Sequence, residues 1–175
     1  SYNNYFDDKK IDKQIDLSLF NVDEKNKIIK IKNKFIEIKK NTYLPKNYKF
    51  QLNPGDKIIL KNNSFIFSES LWEANGSKEN PILISGTDQN YGGGVYIFNN
   101  RNENILKNVY FTNLAGVNIK NFKNQNNLEE IKKYSLLGTI NFYNTEVNLE
   151  NIHFDNIYSE DALNIISSKK FLLKN

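Results

Sequence analysis

The chain has 175 residues and 20.5 kDa, a net charge of +4, one His and no Cys. That length suits one domain, and the absence of Cys excludes a disulfide framework, a thiolate zinc site and a cysteine nucleophile. An aromatic share of 13% argues for a buried core rather than a disordered chain. The sequence holds 31 Asn, 23 Lys and 21 Ile against one Arg, a bias of AT-rich coding, so the Lys excess is poor evidence for a nucleic-acid partner. A lone Arg also denies the bidentate fork that base recognition prefers. No apolar run approaches the length that spans a bilayer, and the first residues carry no signal-peptide pattern.

In chain order, residues 1–26 read as a capping segment. Ile11, Ile15 and Leu19 fall at i, i+4 and i+8, the spacing of a short amphipathic helix. Short β-branched and aromatic runs follow at 27–31, 35–38, 48–52, 57–60, 65–67 and 82–84, separated by Asn, Pro and Gly turns, and they read as strands. Gly92-Gly93-Gly94 precedes a strand, so it reads as a turn or a tight approach rather than a phosphate cradle.

The second half repeats itself. Asn108-Val109-Tyr110-Phe111-Thr112-Asn113-Leu114 and Asn151-Ile152-His153-Phe154-Asp155-Asn156-Ile157 share the pattern N-[VI]-x-F-x-N-[LI]. Upstream, Val95–Phe98 matches Thr139–Phe142, and a third copy starts at Ala162 and reaches Asn175, 24 residues past Asn151. A long polar insertion at 115–136 separates the first two copies. A period of that size with short strands and Asn-rich corners predicts parallel strands stacked on their copies, with Val109, Phe111, Ile152, Phe154, Leu163 and Ile165 inward and Tyr110 and His153 outward. Asn108, Asn151 and Asn175 are expected to stack as an internal amide ladder, because Asn tolerates left-handed corners.

Residues 28–166 resemble right-handed parallel β-helix proteins of the pectin-lyase-like superfamily. They are most similar to bacterial secreted or surface proteins whose β-helix is sometimes joined to CotH-type domains. The resemblance is carried by Tyr43–Asp56, by Gly76–Ile84, and by Leu137–Tyr143 with Ser159–Ile166. It implies an all-β, right-handed parallel β-helix over residues 27–175 behind the 1–26 cap, and a secreted or cell-surface location. That superfamily hosts enzymes and non-enzymes alike.

Chemistry-bearing residues are sparse. Asp155, Glu160 and Asp161 lie within seven residues at one corner, where carboxylates act on sugars or ligate Ca²⁺. Ca²⁺ wants more oxygens than one corner supplies, so no metal or other cofactor is expected. His153 has the pKa range of a general base, but no charged residue repeats at its register. Tyr110, Tyr134 and Tyr143, with Asn121 and Asn124 of the insertion, are the candidate ligand-binding set, offering aromatic faces and amides to a carbohydrate, and Tyr91 and Tyr96 are expected at the surface near them. The expected function is therefore a non-catalytic module that binds glycan or protein or serves as a rigid scaffold. The alternative is a fragment of a polysaccharide lyase or hydrolase. The expected partner is a polysaccharide or another protein chain, with the C-terminal edge covered by a second copy or by the rest of a split protein.

Overall fold

The computed structural model describes residues 14–98, 100–116 and 138–175. Every regular element among them is a strand: β1 (Phe20–Asp23), β2 (Ile28–Ile31), β3 (Phe35–Ile38), β4 (Thr42–Leu44), β5 (Lys49–Leu52), β6 (Lys57–Leu60), β7 (Phe65–Ser68), β8 (Leu71–Asn75), β9 (Ile82–Ser85), β10 (Gly94–Phe98), β11 (Glu103–Leu114), β12 (Gly138–Tyr143), β13 (Glu146–Ile157), β14 (Asp161–Ile166) and β15 (Phe171–Lys174). One sheet of ten strands runs β1-β2-β5-β8-β11-β9-β6-β3, with β13 beside β11 and β15 beside β13. A second, of five parallel strands, runs β14-β12-β10-β7-β4. In the larger sheet β1 meets β2 antiparallel and every other pair is parallel.

Side-chain alternation explains why these runs become strands with one buried face. In β5 Phe50 and Leu52 are buried between half-exposed Lys49 and Gln51, and β6 repeats the pattern with Ile58 and Leu60. The buried faces of the two sheets form a single apolar cluster, joining Leu44, Ile66, Val95 and Ile140 of the smaller to Ile29, Phe50, Trp72 and Phe111 of the larger. Burying each such side chain is worth about 1.5–3 kcal/mol. Phe20, Phe50 and Trp72 meet edge to face, with centroids 6.0 Å and 4.9 Å apart. The Trp72 indole N–H donates to Ser68 Oγ at 2.8 Å. Asn104 is fully buried and saturated: its Oδ1 accepts from the Trp72 amide at 2.9 Å, and its Nδ2 donates to Thr145 Oγ1 at 2.7 Å.

Glycine is required where neighbouring strands touch. Gly94 has φ +154°, and a Cβ there would overlap the Thr139 carbonyl, so the run Gly92-Gly93-Gly94 is a tight approach between adjacent strands.

Three expectations are corrected. The strands do not form a right-handed parallel β-helix of regular closed coils. They form one mixed ten-stranded and one five-stranded sheet, with lengths from three to twelve residues and one antiparallel pair. The reason lies in the asparagines: Asn108, Asn113, Asn151 and Asn156 adopt φ of 48–54° inside β11 and β13, bending those strands instead of ending them. As a result β11 bridges β8 along one stretch and β9 along another, which merges what equal coils would keep apart. The helical spacing of Ile11, Ile15 and Leu19 gives no helix over 14–19. Asp16 accepts from the Ser18 amide at 2.9 Å and from its hydroxyl at 2.6 Å, closing a turn that leads into β1; Ile11 lies outside the described residues. Tyr96, expected at the surface, is buried between Phe67 and Phe98.

Candidate functional site

The residues named from sequence fall into separate places. Tyr110 lies on the outer face of β11 and is 39% exposed, with its ring 4.3 Å from that of exposed His153 on β13. Tyr143 ends β12 in the other sheet, so the two tyrosines do not share a surface patch. Tyr134, Asn121 and Asn124, with almost all of the 115–136 insertion, lie outside the described residues. Asp155 and Glu160 are exposed, and exposed Asp161 opens β14 opposite Gly138. The Ser159 hydroxyl links this corner to Thr139 Oγ1 at 2.6 Å and reaches the Asp161 carbonyl oxygen at 2.5 Å. Among the described residues no three His, Asp or Glu side chains stand close enough to share a metal ion.

What the fold does bring together is the apolar edge at its C-terminal side. Among the described residues β14 pairs only with β12, and β15 only with β13. Phe171 and Leu173 of β15 are 63% and 59% exposed, and Leu172 is exposed between them. Ile152, Phe154, Ile157, Leu163 and Ile165 pack against the core yet stay only partly buried. Ile152, Phe154 and Ile157 have the same chemistry as Val109, Phe111 and Leu114 directly beneath, and Leu163 and Ile165 the same as Ile140 and Phe142; among the described residues they lack a strand on the far side. β15 covers β13 only from Val147 to Glu150. The rest of β13, Asn151–Ile157, has no strand over it among the described residues.

Beneath that open stretch the two N-[VI]-x-F-x-N-[LI] segments lie in register: Val109 opposite Ile152, Phe111 opposite Phe154, Leu114 opposite Ile157. Asn151 Nδ2 donates to Asn108 Oδ1 at 3.1 Å, and Asn108 Nδ2 passes the chain on to the Gly76 carbonyl at 3.0 Å. The second asparagine of each motif makes the same link, Asn156 Nδ2 to Asn113 Oδ1 at 2.7 Å. Sequence reasoning assigned no role to that second pair, although its recurrence five residues after the first was the available signal. Asn175 falls one residue past the Glu150–Lys174 pair, opposite Asn151, and makes no side-chain hydrogen bond among the described residues.

Charge frames the edge. Lys107 bonds Glu150 at 2.8 Å across β11 and β13, and this hydrogen bond holds the Glu150 carboxyl below its usual range, with further attraction from Lys107, Lys174 and Lys78. Lys170 bonds Glu103 at 2.8 Å and is held above the usual lysine range by that bond. A recess of about 380 Å³ opens nearby between Arg101, Asn144, Thr145, Glu146, Ser167 and Lys169. No protein-family model, no curated protein and no solved structure matches this chain.

Proposed function

We propose that this chain is a non-catalytic binding module that docks another polypeptide by strand addition at its C-terminal edge. The observation that carries the reading is the exposure of Phe171 and Leu173 on a strand that, among the described residues, is paired along one side only. Soluble folds blunt such edges with charge, bulges or covering segments; an apolar open edge is a template for another strand. Main-chain hydrogen bonds would supply the affinity and the half-open core positions the side-chain pockets. A secreted or cell-surface setting goes with this reading and is tested by fractionation of the native host.

The experiment is selection of extended peptides from a displayed library on the 175-residue chain. Binders that lose affinity for a Phe171→Lys/Leu173→Lys variant with an unchanged melting profile support the reading. Binders indifferent to those changes, or none at all, overturn it.

Glycan binding is a second reading, favoured by the exposed Tyr110–His153 ring pair on the outer face. Tyr110→Ala should abolish retention on an immobilised polysaccharide if that face is used, and leave strand docking intact.

A further inference from the structure

We propose that the recess beside Arg101 is a binding site for a tetrahedral oxyanion, phosphate or sulfate, taken up free or as the monoester of a small molecule. The site stands apart from the strand-docking reading and uses none of the residues invoked for it.

Connection lengths build the recess. Three neighbouring connections carry the chain from the smaller sheet to the larger: 99–102 between β10 and β11, 144–145 between β12 and β13, and 167–170 between β14 and β15. The middle one has two residues and its neighbours have four each. A notch therefore opens over Asn144 and Thr145, with Arg101 on one wall and Ser167 and Lys169 on the other. Strands β10 and β14 lie two strand spacings apart, about 10 Å, which brings long side chains of both walls within reach of one small ion. The floor is fixed. Thr145 is 3% exposed, accepts from Asn104 Nδ2 at 2.7 Å and donates to Asn100 Oδ1 in the first connection. Floor and walls join strands already paired with one another, so the notch keeps its shape whatever lies beside β15.

The bend does not explain Arg101. Each connection turns through one left-handed residue: Arg101 at φ 53°, Asn144 at 49° and Ser167 at 56°. Among the described residues eight of the eleven such non-glycine positions hold Asn, which tolerates that conformation better than Arg does. Arg101 is also the one Arg in a chain that otherwise uses Lys. A guanidinium offers a planar fork to two oxygens at once, whereas Lys supplies a point charge. Arg101 and Lys169 are both exposed, and neither makes an ion pair among the described residues. Glu146 lines the recess as well, and Lys170 answers it: that ammonium bonds Glu103 at 2.8 Å and is drawn by Glu146 too. The two wall cations are left with a net positive field between them. Donors approaching from opposite walls suit a tetrahedral group, whose oxygens point several ways, better than a planar carboxylate.

The test titrates inorganic phosphate, sulfate and acetate into the isotope-labelled 175-residue chain at low salt, read by amide chemical shifts. Saturable phosphate and sulfate shifts centred on 100–102, 144–146 and 167–170, with acetate at least about ten-fold weaker, support the proposal. Arg101→Asn separates bend from charge: it should melt no lower than the parent chain and weaken phosphate by about ten-fold or more. Arg101→Lys keeps the charge, loses the fork and should weaken phosphate by about three-fold or more. Lys57→Ala removes an equal charge from an exposed position on β6 and should leave the affinity unchanged, unlike Lys169→Ala. Phenyl phosphate binding more tightly than phosphate names a monoester as the ligand, and weaker binding names the free ion; both results uphold the site. No saturable shift, shifts spread evenly over the lysine-bearing surface, or acetate as tight as phosphate overturns the proposal. So do equal losses for Lys57→Ala and Lys169→Ala, or unaltered affinity in Arg101→Asn.

Discussion

At its N-terminal side the fold closes over Phe20, which is 1% exposed on a strand laid antiparallel across β2, while at the other side Phe171 stands 63% exposed on a strand that pairs with β13 alone among the described residues. The two ends use the same kind of residue and differ in cover. Residues 16–20 form a hydrogen-bonded turn, the Leu19 and Phe20 amides both donating to the Asp16 carbonyl at 3.0 Å, and the Lys32 amide then holds the Leu19 carbonyl at 2.7 Å. The exposed edge strand β3 there carries charge: Glu37 bonds Lys61 at 2.6 Å and lies 3.7 Å from Lys39. Among the described residues neither device lies along Phe171–Leu173. The contrast teaches that apolar strands alone do not make a covered edge; what matters is whether a segment or a charge lies over them.

The largest expected effect tests whether cover matters energetically. Phe111→Ala and Phe20→Ala, both at fully packed positions, should each cost about 3–5 kcal/mol in urea unfolding. Phe154→Ala carries the same chemistry at a half-open position, so the loss should be roughly half as large, since water already reaches the site. Equal losses for Phe111 and Phe154 would break the comparison by showing that the C-terminal edge is sealed in solution.

Next in size are the bends. Asn108→Ala removes a buried donor from the Gly76 carbonyl and puts a Cβ-bearing residue without a local hydrogen bond at φ 48°, a loss of about 1–3 kcal/mol. Asn108→Gly should recover part of it by relieving the backbone alone. Asn156→Ala, at an exposed position with the same φ, should cost about 0.5–1.5 kcal/mol. If Asn108→Gly is as damaging as Asn108→Ala, the amide bond rather than the bend carries the stabilisation. Smaller still, Phe171→Ser and Leu173→Lys should each fall within about 0.5 kcal/mol, while lowering binding of an apolar dye.

Some of this was legible beforehand. The pairing of 108–114 with 151–157 follows from like residues recurring at like positions, because stacking Asn on Asn and Phe on Phe satisfies each at once. The inward and outward assignments of Val109, Phe111, Tyr110 and His153 follow from period-two alternation. The architecture was not legible, because a left-handed Asn looks the same in sequence whether it ends a strand or bends one. Nor does the i, i+4 spacing of Ile15 and Leu19 reveal that Asp16 and Ser18 will close a turn between them. Of the candidate site, the apolar chemistry of Phe171–Leu173 could be read, whereas the half-covered state of β13 depends on where β15 stops against it. That is a property of register, and no single residue encodes it.

The smallest effect concerns charge, and it tests whether the difference between the ends is one of cover alone. Each end carries exposed ion pairs of one kind: Glu24 with Lys27 at 3.0 Å near β2, Glu150 with Lys107 at 2.8 Å near the open edge. Glu24 is held below the usual carboxylate range, first by the Tyr48 hydroxyl and then by Lys27, and Glu150 first by Lys107. A depressed carboxyl contributes stability that is complete above its unfolded-state pKa, about 4.3, and disappears as pH falls through the lower folded value. The raised lysines, Lys27 by Glu24 and Lys170 by Glu103, contribute fully below about 10.4 and lose that contribution as pH rises through their folded values. All four groups are solvated, so each pair stabilises little and is screened by salt. Thermal melts from pH 7 down to pH 3 should therefore show a slight acid loss in the parent chain that Glu24→Gln and Glu150→Gln each reduce by the same small amount. A marked acid sensitivity removed by Glu150→Gln and untouched by Glu24→Gln would mean that the C-terminal edge is organised by charge, and that its exposed apolar strand is not what distinguishes it.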